Sequence, residues 1–356
     1  MYIWLRRGKS QVSSESQLPS ISVVICARNA AAHLMENLPS ILDQNYHDFE
    51  VVVVNDRSED NTSSVLADFR SKYSRLRIVS SELEGKGWLK KQALTKGIRS
   101  AQNECLVLTD ADCKPLNHEW LKAFGKRFSS GSELILGVGF FQTAPGFLNA
   151  LFRFESMRIA VQYLAAANAD RAFMAVGRSI GYTKSLFERV GGFDGHADIQ
   201  SGDDDLFVVA AAPHANTSAA PEACTVSAPA TSFKEWLAQK KRHRSTGIHY
   251  PVFALCYLGL YDISMLLCTV GIFCVIFLFE MPVSLTFSLL IIFRTVLLFQ
   301  NIGWVDIKSG MKALSVQLLL LELPLSLVYA LLSIPTLGTK PFQWRKRISA
   351  IERSEI

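Results

Sequence analysis

The chain has 356 residues, of which 49% are hydrophobic, and 37 Lys and Arg stand against 32 Asp and Glu for a formal net charge of +5. So modest a balance does not argue for a nucleic-acid partner; it fits a phosphate binder or a protein at a cytoplasmic membrane surface. The mean hydropathy of +0.19 is high for a soluble enzyme, and its excess lies after Pro251, which points to a C-terminal membrane region rather than an oversized core. The seven cysteines show no Cys-x-x-Cys spacing, which speaks for reduced thiols and against a disulfide framework or a zinc site.

Met1–Ser10 holds no apolar stretch long enough for a secretory signal and reads as a basic cytoplasmic flank. Residues 11–20 complete a polar N-terminal linker, 1–20. Ile21–Cys26 (ISVVIC) is a continuous β-branched run, as expected of a strand buried on both faces of a parallel sheet. A helix follows over Ala30–Leu42, a second buried strand over Phe49–Val54 (FEVVVV), and a helix over Asp60–Tyr73 with Ser58 or Asp60 available as cap. Leu76–Val79 is a short third strand, Leu89–Ser100 a basic helix, and Glu104–Thr109 the fourth strand. Strand and helix alternate over short connections, so a doubly wound α/β sheet is expected. Right-handed crossovers put the turns after the second and fourth strands on one sheet edge.

Beyond Pro115 the alternation loosens. Phe147–Ala167 reads as a long helix, Val176–Tyr182 as strand-like, Ser185–Val190 as a short helix, and Ser232–Thr246 as a polar, basic one. Val252–Phe279, Pro282–Phe299 and Ala313–Ile334 are each near or above the roughly 20 apolar residues that cross a bilayer. Three such runs are hard to bury in a chain this small, so transmembrane helices are expected over 251–336, with a basic tail over 337–356. Arg294 and Glu322, within those runs, are expected to face protein or water rather than lipid.

Four segments carry chemistry. Leu106–Asp112 (LVLTDAD) is an apolar strand ending on Asp110 and Asp112, where open α/β sheets bind ligands; a hard divalent cation uses one or two such carboxylates plus substrate phosphates. Asp56, directly after the second strand, either accepts from a base or ribose or belongs to a helix-capping turn. Gly85-Lys86-Gly87, with Lys90 and Lys91 following, suits close approach to a phosphate, or else forms a solvated basic helix face. Gly202-Asp203-Asp204-Asp205 crowds three carboxylates, which solvent, a metal or a working proton transfer makes tolerable. The run from Gln239 to Arg244 is a basic juxtamembrane helix, a pattern that also serves to anchor anionic headgroups.

Together these segments resemble the family 2 glycosyltransferases, over about Ile21–Ser245. The resemblance implies the nucleotide-sugar-binding GT-A fold, Rossmann-like, over residues 21–250. It implies Asp56 at the nucleobase, Lys86 near the diphosphate and Asp110–Asp112 as the Asp-x-Asp motif, with Asp112 the ligand of Mg²⁺ or Mn²⁺. Asp203 matches the base of the family's Glu-Asp motif, with Asp204 its rival, since Gly202 stands where glutamate is usual. Gln239, Arg242 and His243 resemble the Gln-x-x-Arg-Trp motif of membrane-embedded members, with histidine in place of tryptophan. Arg178-Ser179 replaces a commoner small-x-Asn. The implied activity is inverting transfer from a nucleotide-diphosphate sugar donor to a hydroxyl of a lipid-linked or membrane-proximal acceptor. The implied setting is an integral membrane protein with a cytoplasmic catalytic domain. A polyprenyl-phosphate acceptor, which needs no base, and an inactive membrane scaffold are the other readings.

Overall fold

The computed structural model describes residues 18–81, 89–199, 201–277, 281–309 and 318–333. Lys86, most of the N-terminal linker and the basic tail lie outside the described residues. The first half runs β1 (Ile21–Ala27), α1 (Ala31–Leu42), β2 (Phe49–Asn55), α2 (Thr62–Lys72), β3 (Leu76–Ser80), α3 (Leu89–Ser100) and β4 (Cys105–Asp110). β1 pairs in parallel with both β2 and β4, and β2 with β3. Val23, Val24, Val51, Val52, Val53 and Val107 are fully buried, as strands covered on both faces require. The registers Ala27↔Asn55 and Cys26↔Asp110 bring the ends of β1, β2 and β4 level. The Asp56 and Asp110–Asp112 turns therefore share one edge of the sheet.

Asp60, which precedes the N-cap Asn61 of α2, accepts through Oδ1 from Thr62 N at 3.0 Å. Ser58 instead ties two loops together, its Oγ accepting from Asn29 N at 3.0 Å.

The second half departs from a doubly wound sheet. It contains β5 (Cys113–Pro115), α4 (Trp120–Ser129), β6 (Leu134–Phe141), α5 (Phe147–Ala167), β7 (Ile180–Thr183), α6 (Lys184–Arg189), α7 (Asp205–Ala211), β8 (Thr217–Ser227) and α8 (Phe233–Gly247). The eight strands lie in the order β3-β2-β1-β4-β7-β6-β8-β5. β7 is antiparallel to both β4 and β6, and β5 is antiparallel to β8, whereas β6 and β8 are parallel. The sheet is thus mixed. Only the last part of the expected Val176–Tyr182 strand is extended; the residues before it form a turn that carries Gly177 to the sheet edge.

α9 (Val252–Phe277), α10 (Met281–Ser309) and α11 (Leu318–Ser333) follow. They pack on α5: Leu298, Ile302, Val305, Leu321 and Leu325 share one apolar cluster with Leu151, Phe154 and Val161. Of the three segments expected to cross a bilayer, one window among the described residues, Ser288–Val305, is long and apolar enough by itself. Arg294 and Glu322 meet each other in two bonds of 2.8 and 2.6 Å. Such pairing offsets the cost of removing both charges from water.

A buried polar seam joins this bundle to the sheet domain. Glu155 Oε2 pairs with Lys240 of α8 at 2.5 Å, and Glu155 Oε1 accepts from Tyr329 of α11 at 2.6 Å. Arg158, one turn further along α5, bonds Asp262 of α9 at 3.2 Å and lies over the Tyr329 ring. The placement of α8 is therefore linked to the C-terminal helices through one carboxylate.

Candidate active site

Asp110 closes β4 and Lys90 lies in the first turn of α3, so both reach the sheet edge where ligands bind in such folds. Lys90 Nζ binds Asp110 Oδ1 at 3.1 Å and Asp203 Oδ2 at 2.8 Å. One ammonium thus bridges the Asp-x-Asp turn and the acidic run before α7. A small recess here is lined by Lys90, Leu94, Leu108, Thr109, Asp110, Gly177, Ile180, Tyr182, Asp203 and Asp204. The Tyr182 hydroxyl is buried there with no hydrogen-bond partner among the described residues.

The three adjacent carboxylates have different surroundings. Burial works to raise the Asp203 carboxyl, but the Lys90 ammonium, by charge and by hydrogen bond, overrides it and holds Asp203 below the usual carboxylate range. Asp204 is raised, first by burial and then by the charge of Asp203. Both of its oxygens accept from backbone N–H groups, Oδ2 from Gly177 at 2.7 Å and Oδ1 from Asp205 at 2.8 Å, the second bond capping α7. Asp205 turns away, accepting from the Tyr250 hydroxyl at 2.6 Å. Of the three, Asp203 is the carboxyl held low, by the Lys90 ammonium beside it.

Gly202 has φ +83°, and a Cβ there would come within 2.7 Å of Leu206 Cγ. This backbone needs glycine where the family motif usually has glutamate.

Asp112 is exposed, and its ligand oxygen lies within 4.8 Å of those of Asp110 and of Cys113 Sγ. Two carboxylates at a strand end, one of them open to water, suit a divalent cation that keeps waters and takes substrate oxygens. Asp112 would be the ligand and Asp110 its neighbour; the ion would supply positive charge to a leaving diphosphate.

Asp56 is 4% exposed and accepts from Arg57 Nε at 3.0 Å. Asp60, not Asp56, bonds the first residue of α2. Gln239 and Arg242 flank Lys240 on α8, both half-buried, and neither is among the residues that line the Lys90 recess. Arg178 and Ser179 also have tasks within the sheet. Arg178 Nη1 donates to Ser227 Oγ at 3.0 Å and Ser179 Oγ to the Ala223 carbonyl at 2.8 Å, which ties the turn before β7 to β8.

In the sequence Lys90 and Lys91 read only as companions of Lys86. The available signal was position: a lysine in the first turn of a helix that starts at the ligand edge points its charge into that edge.

Residues 22–191 match the profile of glycosyl transferase family 2. The match covers a little under half of the chain. Probable glycosyltransferase YdaM of Bacillus subtilis is 26% identical to the chain over 189 residues, 51% of this chain and 44% of that protein. Glycosyltransferase AglE of Haloferax volcanii is 27% identical over 196 residues, 53% of this chain and 60% of that protein. The chain thus spans less than two thirds of the length of either relative. Mannosyltransferase PcManGT of Pyrobaculum calidifontis, solved with GDP-Man and Mn²⁺, superposes with a TM-score of 0.55 at 19% identity, covering 91% of this chain and 92% of that one. The likeness establishes a shared fold, the mixed α/β GT-A type. The matched residues hold β1 to β4, Lys90 and the Asp-x-Asp turn; the acidic run at Asp203 lies just beyond them.

Proposed function

We propose that the protein is an inverting glycosyltransferase that moves a sugar from a nucleotide-diphosphate donor to an acceptor hydroxyl near a membrane. The observation that carries this reading is the bridge from Asp110 through Lys90 to Asp203. It joins a donor-side carboxylate and an ionised carboxylate able to take a proton within one recess. Asp203 takes the proton of the acceptor hydroxyl as that oxygen attacks the anomeric carbon. The bond from that carbon to the diphosphate oxygen breaks, and the nucleoside diphosphate leaves from the opposite face. Lys90 keeps Asp203 ionised before the acceptor arrives and adds fixed charge on the diphosphate side. Asp56 receives the nucleobase, while Arg242 and Gln239 of α8 approach the diphosphate and sugar. A Mg²⁺ or Mn²⁺ ion held by Asp112, when bound, neutralises charge on the leaving group.

The membrane placement rests on the Ser288–Val305 window and on the exposed apolar surface of α9 and α10, including Leu260, Leu267, Leu289 and Phe293. So large an apolar face calls for lipid or a partner. With α9–α11 in the bilayer and the sheet domain on its cytoplasmic side, the acceptor is lipid-linked or held close to the membrane.

The experiment is thermal protection of detergent-purified protein by UDP-N-acetylglucosamine, UDP-glucose and GDP-mannose, each with Mn²⁺ and with chelator. One of the three is expected to raise the unfolding midpoint in a concentration-dependent way, because a ligand bound only to the folded state stabilises it by mass action. No shift with any donor or with UDP and GDP themselves would contradict a donor site.

A further inference from the structure

Two adjacent lysines in the first turn of α3 reach one loop from different sides. Lys90 binds the Asp203 carboxylate, as described above. Lys91 turns inward, and its Nζ donates to the main-chain carbonyls of His196 at 2.7 Å and Ile199 at 3.0 Å. Its side chain is 5% exposed. The first carbonyl belongs to the last residue of a 3₁₀ turn, Asp194–His196, and also accepts from Ile199 N at 3.2 Å, so Lys91 and the backbone together hold this short segment.

A buried ammonium bonded to carbonyls rather than to a carboxylate carries a desolvation cost that shape alone does not explain. What it achieves is a fixed separation between α3 and the segment that leads to Asp203. The loop is then held at its entry by Lys91 and at its carboxylate by Lys90, both from one helical turn.

We propose that Lys91 is a positioning residue for sugar transfer, its ammonium tethering the segment before Asp203 and so holding that carboxylate on line for the acceptor hydroxyl. The proposal rests on Asp203 being the base. It predicts an effect on turnover and little on donor affinity, because the tethered loop carries the proton acceptor and not the Asp-x-Asp turn.

The charged form of Lys91 does this work, and its loss is dated by its surroundings. Burial pushes the ammonium down to about 8, with Asp203 and Asp204 acting against that. The remaining titratable group facing it, His196, is driven down to about 4 by burial and by the Lys91 charge, so it stays neutral where Lys91 titrates. Above about 8 the neutral amine holds the carbonyls only by weaker, uncharged bonds. The sign of the global effect is opposite. With the folded value near 8 and the ordinary value 10.5, the unfolded chain binds more protons between them, so this group's share of stability rises with pH there. A fall in turnover over that range is therefore local.

The test uses the full chain in detergent as wild type, Lys91→Met and Lys91→Arg. Hydrolysis of UDP-N-acetylglucosamine, UDP-glucose and GDP-mannose with Mn²⁺ is followed against pH, alongside hydrogen exchange of peptides covering residues 194–206. Lys91→Met should lower hydrolytic turnover about 10-fold near neutral pH, since small misplacement of a reacting group costs that much or more. Its KM for the donor should stay within about twofold. It should also lose the alkaline limb expected of wild type near pH 8. Lys91→Arg should keep most of the turnover and carry the limb out of range, because guanidinium stays charged. Exchange over 194–206 should quicken in Lys91→Met at neutral pH while other peptides stay unchanged.

Wild-type turnover in Lys91→Met, or reduced turnover with the alkaline limb intact, would overturn the proposal. So would unchanged exchange over 194–206. If wild type hydrolyses none of the donors, the glycosyltransferase reading fails and the catalytic role of Lys91 falls with it, while the exchange arm separately decides whether the tether exists.

Discussion

Replacing Asp203 with asparagine is expected to lower sugar transfer by about 10² or more, with donor binding little changed, as loss of a general base does. Asparagine keeps the shape and one acceptor oxygen for Lys90 but cannot take a proton. The neighbouring Asp204→Asn variant makes the comparison sharp. Both Asp204 oxygens accept from backbone N–H groups at 2.7 and 2.8 Å, so its loss should show first as an unfolding midpoint lowered by the equivalent of about 1 kcal/mol, the usual cost of a helix cap. Turnover and thermal midpoint measured on both variants separate the two roles. A 10²-scale loss in Asp204→Asn without one in Asp203→Asn would move the base by one residue. No loss in either would favour a phosphate acceptor, which needs no base.

Asp112→Ala is expected to abolish metal-dependent donor binding. The carboxylate follows a strand whose Leu106 and Val107 are fully buried, so the sheet fixes its position, and its exposure leaves room for waters and diphosphate oxygens. Asp110→Ala should weaken binding less, because Asp110 already shares its charge with Lys90 at 3.1 Å. Calorimetric titration of UDP and GDP with Mn²⁺ and with chelator, on wild type and both variants, checks this. Equal affinity with chelator and with Mn²⁺ would remove the metal's role and leave the diphosphate charge to Lys90 and Arg242.

Much of the first half of the fold was legible because it is built from elements with strong local signals. The runs at Ile21 and Phe49 are β-branched throughout, and burial on both faces demands that composition. The helix Phe147–Ala167 starts and stops where its apolar content does. The second half was not legible for physical reasons. β8 (TSAAPEACTVS) has small residues and Pro221 where a strand signal would stand, and its extension depends on pairing with β6. β6 itself is broken by Gly137 and Gly139, which are needed where the Ser179 and Arg178 side chains cross the sheet. Antiparallel β7 depends on long-range pairing that no local pattern encodes.

At the site, Asp56, Asp110, Asp112 and Asp203 were readable as carboxylates at strand and loop ends. The division of labour between Asp203 and Asp204 was not, since it depends on which one meets Lys90 and which one meets the backbone. Gly202 looks like a degenerate motif position in sequence; its φ of +83° is one that glycine adopts readily. Three apolar runs look alike in sequence; among the described residues one window, Ser288–Val305, is long and apolar enough alone.

The central claim is inverting transfer driven by a base opposite the leaving diphosphate. It is tested most directly by the configuration of the sugar released from an α-linked donor, read by proton NMR in the first minutes of hydrolysis by wild-type protein with Mn²⁺. The account predicts that the β anomer forms first and that Asp203→Asn suppresses its formation. Initial release of the α anomer, or equal release by Asp203→Asn, would contradict it.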